Sequence, residues 1–246
     1  MKEILVVIPY LAEGAQGSEL ELAVTGWRKH FKEPYKIVVV GDRHPVVDSG
    51  DDIVFIDCPR IAPVEGQYLP HLDIVHKFRE VRKAYPDTEG FIYACDDMYA
   101  VKDFTLDTVA VMKMNGEVGV IPEFDYRRQT GWWRDIGKTR DLCRREGMKE
   151  INWVCHLPVY YDWNTLLSIL DRYDCDNESY VVENIYFNYK WTTAYWAVWS
   201  AALFQDEVKT SHPCLRTVGS VTWITNTNSG WSPYLEEILR RHYGLL

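Results

Sequence analysis

Short, continuous apolar runs alternate with amphipathic stretches through the first half of the chain, and this alternation constrains the fold more than any other sequence feature. Apolar runs of strand length are typical of strands buried on both faces, whereas apolar residues spaced three and four apart indicate helices. The predicted strands are residues 4–8, 37–40, 53–56, 91–95 and 118–121. The predicted helices follow a capping box at 18–21 and cover 71–85 and 107–114. The sequence therefore predicts an α/β fold with a mostly parallel central sheet and helices on both faces.

The regular alternation stops near Phe124. Residues 125–147 are rich in Arg, Trp and Gly, and they are interpreted as an irregular insertion with one helix near 139–146. The elements predicted after it are a strand at 153–161, a helix capped by Asp162, a helix at 180–189, a strand at 218–225 and a closing helix at 233–243. Without repeats or a low-complexity linker, we expect one domain over 1–246, with a regular half at 1–122 and an irregular half at 123–246.

Composition excludes several classes of function. With 47% hydrophobic residues the chain can bury a sizeable core, and its net charge of −9 opposes broad contact with nucleic-acid phosphates. The six cysteines include no CxxC pair, which argues against a zinc knuckle or a redox motif. The run at 4–8 is interpreted as a first strand rather than a signal peptide, and no apolar run reaches the roughly 20 residues that cross a bilayer. We expect a cytoplasmic protein without a transmembrane segment.

Polar residues at the carboxyl ends of the predicted strands are the first candidates for a site, because ligands of open α/β sheets bind there. Pro9 and Tyr10 follow the first strand, and Asp42 follows the second. Asp42 is able to accept hydrogen bonds from a base or ribose, and a plain turn aspartate is the alternative interpretation.

The adjacent carboxylates Asp96 and Asp97 follow the apolar run at 91–95 and are the strongest local signal in the chain. Two carboxylates at the end of a buried strand repel each other and lose hydration, and a divalent cation offsets both effects. Oxygen ligands suit Mg²⁺ or Mn²⁺. The alternative is that one aspartate caps the next turn while the other is solvated.

Candidates in the second half carry weaker signals. His156 lies among apolar residues, where a hydrogen-bonded core histidine is the alternative to a metal ligand or base; His212 is a rival, and His71 and His76 fall on a helix face. Arginine forks and aromatic faces bind phosphates and sugars, and the residues that combine them are Arg127, Arg128, Trp132, Trp133 and Arg134. An exposed basic loop with core tryptophans explains the same residues. The turn with Asn226, Asn228 and Ser229 is interpreted as a helix-capping turn that could instead line an acceptor pocket.

The order of these strand ends, with Pro9-Tyr10, then Asp42, then Asp96-Asp97, resembles the nucleotide-binding half of GT-A glycosyltransferases over about the first 120 residues. More narrowly, residues 91–97 together with 156–159 resemble the Stealth group of sugar-phosphate transferases, although Cys95 replaces the asparagine usual before the paired aspartates.

The GT-A resemblance implies a role for each matching residue. Asp97 would hold the metal that bridges a diphosphate, and Asp96 would contact the ribose or a metal-bound water. Pro9, Tyr10 and Asp42 would border the nucleoside. His156 would be a further metal ligand or a general base.

The resulting expectation is a metal-dependent transfer of a sugar from a nucleotide-diphosphate sugar to a carbohydrate or glycoconjugate acceptor, in polysaccharide or glycoconjugate synthesis. If transfer inverts the anomeric centre, the candidate bases are His156, Glu123 and Asp125. The alternatives are Stealth-like transfer of a sugar 1-phosphate and a catalytically silent protein that binds a carbohydrate or a partner.

Overall fold

The structure is a computed structural model, and it describes residues 3–44, 47, 50–63, 68–111, 113–114, 120–129, 131–190, 196–197 and 201–246. Its strands are β1 (Ile4–Tyr10), β2 (Tyr35–Gly41), β3 (Ile53–Asp57), β4 (Gly90–Tyr93), β5 (Met98–Ala100), β6 (Lys113–Met114), β7 (Val159–Asp162), β8 (Trp196–Ala197), β9 (Ala201–Phe204) and β10 (Trp223–Asn226). Its α-helices are α1 (Glu19–His30), α2 (Pro70–Ala84), α3 (Leu106–Val109), α4 (Gly131–Arg145), α5 (Trp163–Arg172), α6 (Val182–Tyr189), α7 (Ser211–Val218) and α8 (Pro233–Tyr243). A short 3₁₀ helix covers Tyr126–Arg128.

The central sheet has the strand order β3-β2-β1-β4-β7. The first four strands run parallel, and β7 pairs antiparallel with β4. In β1 and β2 the residues from Leu5 to Ile8 and from Ile37 to Val40 are almost completely buried, as expected for strands covered on both faces. The prediction of an α/β fold with a mostly parallel sheet is confirmed.

A second sheet adjoins the first, with the order β5-β10-β9. Strand β10 is antiparallel to β5 and parallel to β9. This second sheet has a hydrophobic core of its own, in which Leu22 of α1, Tyr99 of β5 and Leu235 of α8 are fully buried. The last strand and the last helix of the chain therefore pack beside its first helix.

Buried tryptophans fill much of the main core. Trp27, Trp153 and Trp163 are each no more than 1% exposed. Trp163 packs against Phe91 of β4 with ring centroids 4.3 Å apart. Burying a large apolar side chain contributes roughly 1.5–3 kcal/mol, so the high aromatic content serves stability at these positions.

The second half of the chain differs most from its prediction. The region interpreted as an irregular insertion contains α4, a helix of 15 residues that covers the predicted segment 139–146 except for its last residue. The predicted strand at 153–161 is reduced to β7, because side-chain amides of α6 bind the backbone at 151–153 in place of a strand partner. The predicted strand at 218–225 begins only at Trp223, since α7 extends to Val218.

Smaller corrections concern three other elements. In place of the predicted helix at 107–114, the described residues form the one-turn helix α3 and then β6. Residues 118–119 of the predicted strand at 118–121 lie outside the described residues, and Val120 forms an isolated bridge to Ile151. Ser18 is the N-cap residue of α1 but forms no capping box, because its hydroxyl donates to Glu236 of α8 instead. The predicted cap at Asp162 and the first-turn Pro233 are confirmed. None of the helices in the described ranges combines the length and hydropathy that a membrane span needs.

Candidate active site

Three strand ends meet at the carboxyl edge of the central sheet. Strand β1 lies between β2 and β4, and Tyr10 is in register with Gly41. Pro9, Tyr10 and Asp42 are therefore placed at one edge, beside the segment that leaves β4 toward Asp96. Burial raises the pKa of Tyr10, and the charges of Asp96 and Asp42 raise it further, which shows that these three side chains share one environment.

Close backbone approach shapes the β1 and β2 ends. Gly41 has φ 133°, and a Cβ there would stand 2.0 Å from the carbonyl oxygen of Tyr10, so glycine is required. The Asp42 carboxylate accepts a 2.8 Å hydrogen bond from the backbone N–H of Ala12 and so ties the loop after β1 to the end of β2.

Asp96 and Asp97 form the turn between the two sheets, because β4 ends at Tyr93 and β5 begins at Met98. Strand β7 pairs antiparallel with β4, with Tyr93 opposite Val159. The segment that enters β7 consequently lies next to the segment that leaves β4. This register brings His156 to Asp97, with Nε2 of the imidazole 3.1 Å from Oδ2 of the carboxylate.

His156 is held in an unusual conformation. Its φ of 51° lies in the left-handed region, and Nε2 also lies 3.0 Å from the backbone carbonyl oxygen of Asn226. Burial alone lowers the pKa of His156, but the hydrogen bond and charge of Asp97, together with that carbonyl, raise it to about 9. Left-handed non-glycine residues cost roughly 1–3 kcal/mol and persist where surrounding contacts hold them, often at functional sites.

Two buried asparagines of α6 hold the segment that precedes His156. Asn184 accepts a 2.6 Å hydrogen bond from the backbone N–H of Trp153. Asn188 accepts from the indole N–H of Trp153 at 3.1 Å and exchanges two hydrogen bonds with the backbone of Ile151. The two amides lie four residues apart on one face of α6. They provide the backbone of this segment with the hydrogen bonds that a neighbouring strand would otherwise provide.

Several carboxyl groups lie close together around the acidic turn. Burial, with the charges of Asp97 and Glu19 beside it, raises the pKa of Asp96 to about 8. Burial also raises the pKa of Glu19, a residue that is only 3% exposed. Asn226 connects these groups, since its side-chain amide donates to Glu19 while its backbone carbonyl meets His156.

The Asp97 carboxylate fits a divalent cation. Its Oδ1 is buried and has no hydrogen-bond partner among the described residues. Its other oxygen, Oδ2, is hydrogen-bonded to Nε2 of His156 at 3.1 Å, and a cation held by both residues would take the place of the proton between these two atoms. The described residues hold no cluster of three or more His, Cys, Asp or Glu side chains that could bind a metal. Further ligands would come from a bound substrate or water.

A cavity of about 220 Å³ opens beside this turn between α2, α4 and α6. His156 and Cys95 line it on the side of the acidic turn. Trp132 of α4, His71 of α2 and Glu183 of α6 contribute to its other walls. We refer to it as the α2–α4–α6 cavity.

The predicted Arg/Trp group divides between this cavity and the surface. Trp132 lines the cavity, and Arg134 lies 3.4 Å from the buried carboxylate of Asp135. Trp133 is 54% exposed and packs edge-on against Trp132. Arg127 and Arg128 are exposed. The five residues therefore do not converge on one point.

The candidate bases Glu123 and Asp125 are both exposed. Asp125 pairs with Arg128 at 3.2 Å. Glu123 pairs with Arg144, which lies roughly 18 Å along α4 from the cavity residue Trp132. The structure thus brings together Pro9, Tyr10, Asp42, Asp96, Asp97 and His156, and it places these two carboxylates on the surface.

Two residues of the site, Glu19 and Glu183, were not singled out by the sequence, and two others, His71 and Asn226, were named there with a structural role as the preferred interpretation. Glu19 resembled an ordinary first-turn acid, and His71 an ordinary helix residue. Glu183 belongs to no motif. The one signal that could have drawn attention to it is that an acidic residue stands in the first turn of a helix, here α6. Asn226 was interpreted as part of a helix-capping turn, which is wrong, since it is the fully buried last residue of β10 and Ser232 caps α8. His212 is exposed on α7.

No protein-family model matches the chain, and no curated protein sequence matches it. Solved structures resemble it over nearly their whole length. An active-site mutant of LgtC has a TM-score of 0.49 at 12% identity, covering 99% of this chain and 96% of the other. The galactosyltransferase LgtC with donor and acceptor sugar analogues has a TM-score of 0.48 at 13% identity with the same coverage. A glycosyltransferase involved in glycosylation of the major capsid of PBCV-1 has a TM-score of 0.41 at 9% identity, covering all of both chains.

These neighbours are glycosyltransferases, the class indicated by the GT-A resemblance of the sequence. All three TM-scores are below 0.5, so the similarity concerns the course of the backbone and not the function. A function for this chain must be argued from its own side chains.

Proposed function

We propose that the chain is a metal-dependent glycosyltransferase that transfers a sugar from a nucleotide-diphosphate sugar to an acceptor hydroxyl group. The observation that carries the proposal is Asp97, which adjoins His156 at the carboxyl edge of a parallel sheet and keeps a buried oxygen without a partner. A carboxylate in that state suits a cation, and that edge is where nucleotides bind in open α/β sheets.

The donor nucleotide is assigned to the carboxyl ends of β1 and β2, next to Asp96. Tyr10 lies at the end of β1, and Asp42, just after β2, offers a carboxylate to a base or ribose. Asp96 lies between these residues and Asp97, where a ribose hydroxyl can donate to it. This order matches the one implied by the GT-A resemblance.

Asp97 and His156 are the residues assigned to hold Mn²⁺ or Mg²⁺. A bound cation supplies charge that stabilises a leaving diphosphate. As a ligand of that cation, His156 would be a neutral imidazole with Nε2 unprotonated.

The reaction breaks the bond between the anomeric carbon and the diphosphate oxygen, and the nucleoside diphosphate leaves with the electron pair. A bond forms between the anomeric carbon and the acceptor oxygen, and the proton of that hydroxyl passes to a carboxylate beside it. Glu183 is the carboxylate that lines the same cavity as His156, and we assign it as the group nearest the acceptor.

Thermal unfolding with UDP, GDP, CDP, ADP and dTDP, each with Mn²⁺, with Mg²⁺ or with EDTA, tests the proposal. One nucleotide at about 100 times its Kd should stabilise the protein by about 2.7 kcal/mol, which is roughly 5–10 °C in Tm, only when the metal is present. Asp97→Asn should abolish the shift, and Asp87→Asn, an exposed aspartate beyond α2, should retain it. Absence of any metal-dependent shift in the unmodified protein would overturn the proposal.

Product analysis separates the reactions that remain. With the nucleotide identified, incubation with the matching nucleotide sugars should release nucleoside diphosphate and leave no phosphate on the product. Release of nucleoside monophosphate would indicate transfer of sugar 1-phosphate. Binding without any turnover would indicate a carbohydrate-binding protein.

A further inference from the structure

The walls of the α2–α4–α6 cavity are mostly apolar. Of its thirteen lining residues, only His71, His156 and Glu183 carry an imidazole or a carboxylate group. The rest are aliphatic, aromatic or sulfur-containing, and they include Ile74 and Val182. Even the hydroxyl of Tyr93 is turned to a neighbour, lying 3.3 Å from the sulfur of Cys95.

Size and polarity together restrict what this cavity can accept. At about 220 Å³ it is smaller than the roughly 300–1,000 Å³ of pockets for drug-sized ligands, so it suits a single ring. A pyranose carries a hydroxyl on most ring carbons, and each hydroxyl that is buried without a partner loses its hydration without compensation. An apolar ring with few hydroxyl groups avoids that cost and gains from burial.

A histidine oriented by a buried carboxylate provides a polar contact in the cavity wall. Nδ1 of His71 lies 2.9 Å from Oδ2 of Asp135, which is completely buried and also accepts a 2.6 Å hydrogen bond from Ser179. A carboxylate only accepts, so Nδ1 carries the proton. In the neutral imidazole, Nε2 is then the nitrogen that accepts a hydrogen bond from a ligand hydroxyl.

We propose that the α2–α4–α6 cavity binds the acceptor and that this acceptor is an alcohol or phenol with an apolar ring, anchored through a hydroxyl group at His71. The inference rests on the proposed function, because a molecule in this cavity is an acceptor only if the chain transfers a sugar. The cavity shares His156 with the assigned metal site. It assigns the acceptor to a hydrophobic aglycone and not to a sugar.

Binding of 4-(2-hydroxyethyl)phenol and of methyl β-glucopyranoside to the intact protein, measured by saturation-transfer NMR titration, tests this inference. The phenol should bind at least tenfold more tightly than the glucoside. Ile74→Trp fills the cavity and should weaken phenol binding at least tenfold, whereas Val120→Trp, which adds a tryptophan at a 65% exposed position, should not. Val182→Trp fills the cavity from α6 and replaces Ile74→Trp if that variant does not fold.

His71→Phe tests the polar anchor, with His212→Phe as the matched exposed control. The first change should weaken phenol binding at least fivefold, and the second should leave it unchanged. Equal or tighter binding of the glucoside, or phenol binding that survives both filling variants, would overturn the inference. If a nucleotide still raises the Tm of the protein only in the presence of metal, then only the acceptor assignment fails. If the phenol binds but no nucleotide raises the Tm in the presence of metal, the proposed enzyme function fails. The cavity then remains assigned as a binding site for an apolar ring.

Discussion

The side-chain amide of Asn226 donates a 2.7 Å hydrogen bond to Oε1 of Glu19, which joins the end of β10 to the first turn of α1 across 207 residues. The amide oxygen of Asn226 accepts from the hydroxyl of Tyr99 at 2.8 Å. All three residues are no more than 3% exposed. This buried network fixes the second sheet against the helix that follows β1.

Asn226→Asp should lower the free energy of unfolding by about 2–4 kcal/mol, because it replaces a donor to Glu19 with a second buried carboxylate. Urea denaturation at pH 7 measures the change. Asn228→Asp introduces the same substitution two residues later at an exposed position and should change stability by less than about 0.5 kcal/mol. Equal effects of the two substitutions would contradict the role of the network.

His156→Asn should weaken Mn²⁺ binding by more than about tenfold while the protein stays folded. Asparagine tolerates the left-handed conformation, but it lacks the imidazole that adjoins Asp97. Titration with Mn²⁺, followed by electron paramagnetic resonance of the free ion, measures the affinity. Asp174→Asn is the control, because Asp174 is a non-glycine residue at φ 52° outside the site and its replacement should leave Mn²⁺ binding unchanged.

Gly41→Ala should destabilise the protein by more than about 2 kcal/mol, since the new methyl group meets the Tyr10 carbonyl at 2.0 Å and φ is 133°. The same change should weaken nucleotide binding, because Asp42 follows immediately. Gly14→Ala is the matched control: the nearest atom to its added Cβ is 3.6 Å away, an ordinary contact. Urea denaturation of both variants should show a large loss for the first and almost none for the second.

Asp162 should contribute stability that disappears in acid. Burial alone raises its pKa, but Lys190, the backbone N–H of Thr165 and the Tyr186 hydroxyl together hold it well below the usual value. A lowered folded-state pKa means that the contribution is present above the unfolded pKa of about 3.9 and is lost as pH falls through the folded value.

Asp162→Asn should therefore lower the free energy of unfolding by about 1–2 kcal/mol at pH 7, through loss of the ion pair and weaker capping of α5. The difference in urea midpoint between the variant and the unmodified protein should stay constant from pH 7 to about pH 5 and then narrow as pH falls to 2.5. The exposed Asp206→Asn should follow the unmodified protein throughout. A difference that persists unchanged at pH 2.5 would contradict the ionic origin of the effect.

Where the sequence pattern was local and strong, it predicted the fold well. Strands β1 to β4 and helices α1 and α2 lie where apolar runs and helical spacing placed them, within a few residues. Pattern reasoning found only the second half of α4, because its first turns carry Trp, Arg and Gly at positions that resemble a loop. Its buried face includes polar residues such as Asp135, Thr139 and Arg140, which bond to other parts of the chain.

By itself, the sequence determined that the chain alternates strands and helices and that two aspartates follow the fourth buried strand, because spacing along the chain encodes both. Only the tertiary structure decided what those aspartates meet. His156 reaches Asp97 across 59 residues because β7 pairs antiparallel with β4, and the carbonyl of Asn226 reaches His156 across 70 residues because β10 pairs with β5. The partners of a buried charge are set by strand register and helix packing, which no local pattern contains.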